Sequence, residues 1–256
     1  NTIEFTTPDA PAGTETVSTS AELEAKLASA SKCPVIALNP GLYRFVSDVD
    51  GSLVGLDITK SVTIMSATAA MPVVQCKALS VKNTTDINLI RLENIHWDAD
   101  AANTGTYLFD IQSSIAGNIG SIEIVGCKIT NLYNSVVRAS RTAAFGPKNI
   151  KIDNCQMYNM NCKESFIGYT SGATSYSVES ISVSNTTITN VGWDTIETRM
   201  FSLVGSDNMV FKLENNTITI NSTAKNGTIH YRANSTGSTT GGKAEIKNNI
   251  IYIINN

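Results

Sequence analysis

Residues 150–159 read Ile-Lys-Ile-Asp-Asn-Cys-Gln-Met-Tyr-Asn, so that apolar and polar side chains alternate and an Asn closes each half. The first half recurs at residues 90–94, 122–126, 181–185, 211–215 and 244–248. Each copy ends on Asn, except for one that ends on Gly126. An apolar residue at every second position is typical of a β-strand with one buried face, so the repeat predicts a chain of short strands.

The copies are evenly spaced along the chain. Their last residues, here called the corner residues, follow one another at intervals of 28 to 33 residues: Asn94, Gly126, Asn154, Asn185, Asn215 and Asn248. Each interval has room for three short strands and is too short for strands joined by crossover helices. The repeat therefore predicts a coil in which equivalent strands stack in parallel and close three faces around an apolar core.

Two features of this coil can be predicted residue by residue. The third residue after a corner is apolar in every copy, so Ile129, Met157, Ile188 and Ile218 are expected to form one buried stripe. The amides of stacked corner residues can bond along the coil axis, and those of Asn154, Asn185 and Asn215 are expected to do so. Most of the five cysteines are expected to be small buried hydrophobes, because they include no CxxC pair.

Further copies of the repeat, at residues 34–39 and 62–66, extend the coil toward the N-terminus and give about eight coils. Ahead of them, Thr19 and Glu22 form a capping box, which predicts a short amphipathic helix. A solenoid needs such a cap, because an open end exposes core and unpaired strands. The predicted organisation is one all-β domain, 1–256, with an extended lead-in at 1–18, a capping helix at 19–31 and coils at 34–256.

The stretch Val35-Ile-Ala-Leu-Asn-Pro-Gly-Leu-Tyr43 resembles the first coil of the pectate-lyase-like right-handed parallel β-helix superfamily, and the Ile-x-Ile-x-Asn units resemble its later coils. The resemblance covers nearly the whole chain from about residue 19. It is nearest to secreted domains without an assigned activity in bacterial polysaccharide-utilisation systems. It implies a right-handed coil, a secreted or cell-surface location in a bacterium, and a polysaccharide or oligosaccharide as partner.

The resemblance leaves the activity open, because lyases, hydrolases, adhesins and sugar-binding proteins share this architecture. The sequence contains no Arg-x-Pro-x-x-Arg of pectate lyases and no Gly-His-Gly or Arg-Ile-Lys of polygalacturonase-type hydrolases. No adjacent pair of aspartates could serve as inverting acid and base. Three hypotheses remain: an extracellular polysaccharide-binding protein, a polysaccharide lyase acting on a glycan that contains uronic acid, or a purely structural spacer. Whether the protein is an enzyme stays undecided at this point.

In proteins of this resemblance, ligands lie along one strand face and the loops that border it. The corresponding loops here are 101–106, 132–135, 161–164, 192–199 and 221–227. The loop at 192–199 offers an indole for the apolar face of a sugar, and charged groups for its hydroxyls, within seven residues. Those residues are Trp193, Asp194, Glu197 and Arg199.

Neighbouring coils add further charged groups to this predicted groove. Arg138, His230 and Arg232 are expected to point outward from strands, and Lys163 comes from the loop one coil earlier. A β-eliminating lyase needs a cation beside the uronate and a base for the C5 proton. The clustered candidates for these roles are Arg138, Lys163, Arg199, His230 and Arg232.

The composition limits the remaining classes of partner. A formal net charge of −3 argues against nucleic acid as a partner. The sequence has no run of 18 apolar residues, so no transmembrane segment is predicted. With two histidines in the chain and no CxxC pair, no metal site and no cofactor are predicted.

Overall fold

The computed structural model describes residues 13–29, 35–111, 117–139, 146–162, 165–169, 178–191, 201–204, 209–221, 229–232 and 242–254. Within these residues the chain forms 24 β-strands and one α-helix, α1 (Ser20–Ala28). The strands belong to three sheets, and every pairing between them is parallel.

Each sheet contains one strand from every complete coil, and the chain passes from sheet 1 to sheet 2 to sheet 3. Sheet 1 contains β1 (Glu15–Val17), β2 (Val35–Leu38), β5 (Val62–Ser66), β8 (Ile87–Glu93), β11 (Ile119–Val125), β14 (Pro147–Asp153), β17 (Ser180–Ser184), β20 (Val210–Glu214) and β23 (Lys243–Lys247). Sheet 2 contains β3 (Leu42–Arg44), β6 (Val73–Gln75), β9 (His96–Asp98), β12 (Lys128–Thr130), β15 (Gln156–Tyr158), β18 (Thr187–Val191), β21 (Thr217–Asn221) and β24 (Ile250–Ile254). Sheet 3 contains β4 (Leu56–Ile58), β7 (Leu79–Val81), β10 (Tyr107–Ile111), β13 (Ser135–Ala139), β16 (Ile167–Tyr169), β19 (Phe201–Val204) and β22 (Ile229–Arg232).

The fold is the predicted right-handed parallel β-solenoid. The number of coils differs slightly from the prediction of about eight. Among the described residues, seven coils are complete on three sheets, and the next is described only by β23 and β24. The described part of the chain contains no helix long and apolar enough to span a membrane.

The corner residues lie where sheet 1 turns into sheet 2, and all six have φ between 51° and 64°. Asn tolerates this left-handed conformation better than other residues with a side chain, which explains its repetition. The amide of Asn248 donates to Asn215 Oδ1 at 3.2 Å, and the amide of Asn215 donates to Asn185 Oδ1 at 3.4 Å. The predicted stack is corrected at its other end, because Asn185 donates to Asp153 Oδ1 at 2.9 Å rather than to Asn154.

The core lies between the three sheets, and the predicted stripe runs through it. Trp97, Ile129, Met157, Ile188 and Ile218 follow one another across β9, β12, β15, β18 and β21. None of these side chains is more than 1% exposed. The stripe is therefore confirmed, and with it the register of sheet 2.

The residue directly after each corner also points into the core. Cys127 and Cys155 occupy this place in two coils, and burial raises the pKa of their thiols to about 12 and about 11. Thr186, Asn216 and Asn249 occupy it in the next three. Their side chains accept hydrogen bonds from the backbone N–H of the preceding coil, at 3.3 Å, 3.0 Å and 3.0 Å. The core is therefore lined here by sulfur in some coils and by hydrogen-bonded polar groups in others.

Cysteine burial agrees with the prediction within the described residues. Cys76, Cys127, Cys155 and Cys162 are free and buried, and Cys33 lies outside the described residues. Burial raises the pKa of Cys162 and Cys76 as well, so these thiols stay protonated at neutral pH.

The N-terminal end of the solenoid is closed by α1 as predicted, although the helix ends at Ala28 instead of residue 31. Thr19 Oγ1 accepts from the Glu22 backbone and the Glu22 carboxylate accepts from the Thr19 backbone, which completes the capping box. Part of the lead-in is the short strand β1, which pairs with β2 and extends sheet 1. The helix covers the end of the coil by burying Leu23 and Leu27.

Candidate functional site

A cleft of about 220 Å³ opens at the corner where sheet 2 turns into sheet 3. Three successive coils contribute to it, through the turns that follow β9, β12 and β15. These turns correspond to three of the five loops expected to border a ligand. The lining, here called the amide cleft, consists of Ala101, Asn103, Asn131, Leu132, Tyr133, Asn159 and Asn161.

One wall of the amide cleft is a second row of corner amides. Asn131 and Asn159 close the second half of their repeats. Their φ values of 62° and 55° are left-handed, like those of the corner residues. The amide of Asn159 donates to Asn131 Oδ1 at 3.2 Å, and the amide of Asn131 donates to Asp98 Oδ1 at 2.8 Å. The stacking of coils thus fixes these side chains at the edge of the cleft.

Two other amides of the cleft have no partner within the described residues. The backbone of Asn103 donates to Asp100 O at 2.8 Å, and that of Asn161 donates to Leu132 O at 2.9 Å, so both residues are held in place. Their side chains are half-buried, and neither makes a hydrogen bond to a described residue. Each therefore presents one unused acceptor and one unused amino group to whatever occupies the cleft.

The base and side of the cleft are apolar. Leu132 is fully buried, and Tyr133 is half-buried with its backbone N–H bonded to Thr106 Oγ1 at 3.0 Å. An aromatic ring beside open amides is an arrangement suited to a pyranose, which has apolar C–H faces and polar hydroxyl edges.

Asp98 anchors the wall from the sheet 2 side. Its carboxylate accepts hydrogen bonds from Asn131, Gln75, Thr130 Oγ1 and the Asp100 backbone. Burial alone would raise the pKa of this carboxyl, but the hydrogen bonds outweigh burial and hold the pKa below its usual value. The carboxylate is therefore a structural part of the wall, because its donors already surround it.

We expect Asp98→Asn to lower the free energy of unfolding near neutral pH. The free energy of unfolding of the variant should also fall less steeply with acidification than that of the wild type. A carboxyl whose pKa is depressed in the folded state stabilises the protein above the unfolded pKa, about 3.9, and that contribution is lost as pH falls through the folded pKa. Urea unfolding of both proteins between neutral pH and strong acid measures the effect. Parallel curves over the whole range would contradict this role for Asp98.

Among the groove residues predicted from the sequence, Arg138 is the one whose side chain the structure describes. Its guanidinium is already paired with an acidic neighbour. Its Nε donates to Asp110 Oδ1 at 2.9 Å and its Nη1 donates to the Tyr107 hydroxyl at 2.7 Å. The guanidinium also lies 4.3 Å from the centre of the Tyr107 ring. Asp110 and Arg138 are direct neighbours across β10 and β13. This guanidinium therefore has less electrostatic attraction left for a sugar carboxylate than a free one would have.

The strand register brings one further predicted residue onto the same row. Across β13, β16, β19 and β22, Arg138 aligns with Gly168, Ser202 and His230. Arg232 lies two residues further along β22, opposite Val204. The side chains of His230 and Arg232 are outside the described part of the structure. The other predicted residues lie outside the described residues altogether: Lys163, Trp193, Asp194, Glu197 and Arg199.

Sequence reasoning anticipated the loops of the amide cleft and missed its residues. The second Asn of the repeat, at 131 and 159, was a visible signal, because it marks a second left-handed corner at which side chains stack. Asn103 and Asn161 carried no such signal, since they lie in turns outside the repeat. No three His, Cys, Asp or Glu side chains within the described ranges come together as a metal site requires.

The three parallel sheets and the cleft at their corner define a parallel β-solenoid. The chain is similar to AlyGC, an alginate lyase of family PL6, with a TM-score of 0.56 and 14% identity over 96% of this chain and 41% of that one. An arginine-to-alanine variant of the same enzyme matches with a TM-score of 0.53 and 13% identity over 97% and 41%. The likeness is one of fold, over about two fifths of the length of those proteins. No protein-family model and no curated protein matches the sequence.

Proposed function

We propose that this protein is secreted or held at a bacterial cell surface and binds polysaccharide there, as part of a glycan-utilisation system. The observation that carries the proposal is the amide cleft, in which amides with no partner among the described residues and an aromatic ring from adjacent coils face the same space. The similarity to alginate lyases supports a polysaccharide as the class of partner, because the fold presents stacked loops along which a sugar chain can lie.

The chemistry of the cleft fits a sugar better than most other small molecules. A sugar hydroxyl both donates and accepts a hydrogen bond, and a carboxamide offers one group of each kind. Asn103 and Asn161 supply such amides from loops two coils apart, about 10 Å along the axis. Tyr133 lies between them in sequence and can pack against the apolar face of the ring.

We expect Asn103→Ala combined with Asn161→Ala to weaken polysaccharide binding by roughly 5- to 100-fold, because each lost hydrogen bond contributes about 0.5–1.5 kcal/mol. Affinity electrophoresis against a panel of soluble polysaccharides measures the change even while the natural sugar is unidentified.

The matched control is Asn88→Ala, which removes an exposed amide at sheet 1, away from the cleft. Its backbone N–H bond to Ser61 Oγ does not depend on the side chain. Equal mobility of the double variant and the wild type in every gel would place sugar binding away from the amide cleft.

A longer binding groove remains part of the proposal. Trp193, Asp194, Glu197 and Arg199 would extend the sugar path beyond the cleft, with Lys163, Arg138, His230 and Arg232 along it. We expect Trp193→Ala to weaken binding by about 1–3 kcal/mol, by analogy with other aromatic stacking platforms. Isothermal titration with the best polysaccharide of the panel tests this, and an unchanged affinity would remove Trp193 from the groove.

The second candidate function is a lyase acting on a polysaccharide that contains uronic acid. The observation in its favour is the structural similarity to alginate lyases. β-Elimination leaves an unsaturated sugar, so rising ultraviolet absorbance in a screen of polyuronates would reveal it. If the protein is a lyase, loss of Arg199 or Arg232 should lower turnover more than affinity, because charge develops only in the transition state.

A further inference from the structure

We infer that the amide cleft takes an uncharged sugar residue and discriminates against uronate. This inference rests on the proposed function, since it names the class of sugar for the same site. Every described residue that lines the cleft is uncharged: two are aliphatic, one is Tyr133 and four are asparagines. A carboxylate entering this space would lose water and gain no cation from the described lining.

The negative charge of Asp98, next to the cleft wall, also disfavours a carboxylate. Asp98 is bonded directly to the wall through Asn131 and keeps its negative charge, because its hydrogen bonds lower its pKa. Asp100 lies in the turn beside Asn103 and is half-buried, and its carboxylate is paired with Arg44 across 3.6 Å. Lys128 projects from sheet 2, two residues before Thr130, and does not line the cleft. A carboxylate in the cleft would therefore meet the fixed negative charge of Asp98 behind the wall.

Hydrogen-bond capacity gives a second, independent reason. A carboxylate can only accept, so it could use the amino groups of Asn103 and Asn161 and would leave their carbonyl oxygens unmatched. A hydroxyl can donate to the carbonyl oxygen of the amide or accept from its amino group. The open amides thus favour a sugar whose edge carries hydroxyls.

The test compares neutral with acidic polysaccharides at low and high NaCl. We expect at least one of the neutral polymers galactomannan and xyloglucan to bind about tenfold or more tightly than alginate and polygalacturonate do. The affinity for the neutral polymer should be nearly independent of salt. Asn161→Asp should weaken neutral-sugar binding, because it replaces the amino group by an acceptor and adds negative charge. Asn161→Lys should shift the preference toward the polyuronates at low salt, and thermal melting confirms that each variant is folded.

The outcomes separate this inference from the proposed function. Tighter binding of a polyuronate than of every neutral polymer, lost in the Asn103→Ala, Asn161→Ala double variant, would overturn the inference and keep polysaccharide binding at the cleft. Neutral-sugar binding that both Asn161 variants leave intact would overturn the inference by placing the sugar elsewhere. Binding of no polysaccharide in either class would overturn the proposed function itself.

Discussion

Met157→Ala is expected to lower the free energy of unfolding by about 2–5 kcal/mol, the range for removing a large buried side chain. Met157 is fully buried on β15 and is stacked between Ile129 of one coil and Ile188 of the next. The cavity that the substitution would create lies in the middle of the solenoid. The coils on either side therefore limit how far the surrounding coil can relax to fill it. Chemical denaturation followed by far-ultraviolet circular dichroism measures the loss.

The matched control for this substitution is its neighbour on the same strand. Gln156 is exposed and points out of sheet 2, so Gln156→Ala should change stability by no more than about 0.5 kcal/mol, as is usual for surface sites. If Gln156→Ala proved the more destabilising of the two, the inward and outward faces of β15 would have been assigned the wrong way round.

Asn216→Ala is expected to lower the free energy of unfolding by about 2–4 kcal/mol, because an orphaned buried polar group costs about 1–3 kcal/mol and the missing amide leaves a gap. Asn216 is 1% exposed. Its Oδ1 accepts from Thr186 N at 3.0 Å, and its Nδ2 donates to Val183 O and to Asn249 Oδ1, both at 2.9 Å. Alanine at this place leaves the Thr186 N–H without its acceptor inside the core.

A rescue variant separates the hydrogen bond from simple loss of volume. Thr186 holds the equivalent place one coil earlier, where its hydroxyl accepts from Cys155 N at 3.3 Å. Asn216→Thr should therefore recover part of the stability that Asn216→Ala loses, since its hydroxyl can accept from Thr186 N. Asn215→Gly, at the exposed corner with φ of 57°, should have a small effect because glycine tolerates that conformation. Equal destabilisation by Asn216→Ala and Asn216→Thr would rule out the hydrogen bond as the cause.

The amide cleft could be predicted only in part, for a reason that its residues make clear. Asn131 and Asn159 follow a repeat, so their stacking was open to inference from the sequence. Asn103 and Asn161 are separated by 58 positions in the chain and become neighbours of one cleft only after the coils stack. The pairing of Arg138 with Asp110 was likewise hidden, because it depends on the register of β10 against β13.

Local alternation and a period of 28 to 33 residues were enough to predict the three-strand coil and the buried stripe. The capping box of Thr19 and Glu22 was enough to predict the helix. Stacking of the coils then decides which side chains form hydrogen bonds or ion pairs with one another and which can still bind a ligand. Arg138 looks available in the sequence, yet it is paired with Asp110 and Tyr107 of the preceding coil. Asn103 and Asn161 look ordinary, yet their amides find no partner among the described residues and lie beside Tyr133. Hydrogen bonding and charge pairing act between atoms a few ångströms apart, and in a solenoid those atoms belong to residues about thirty positions apart.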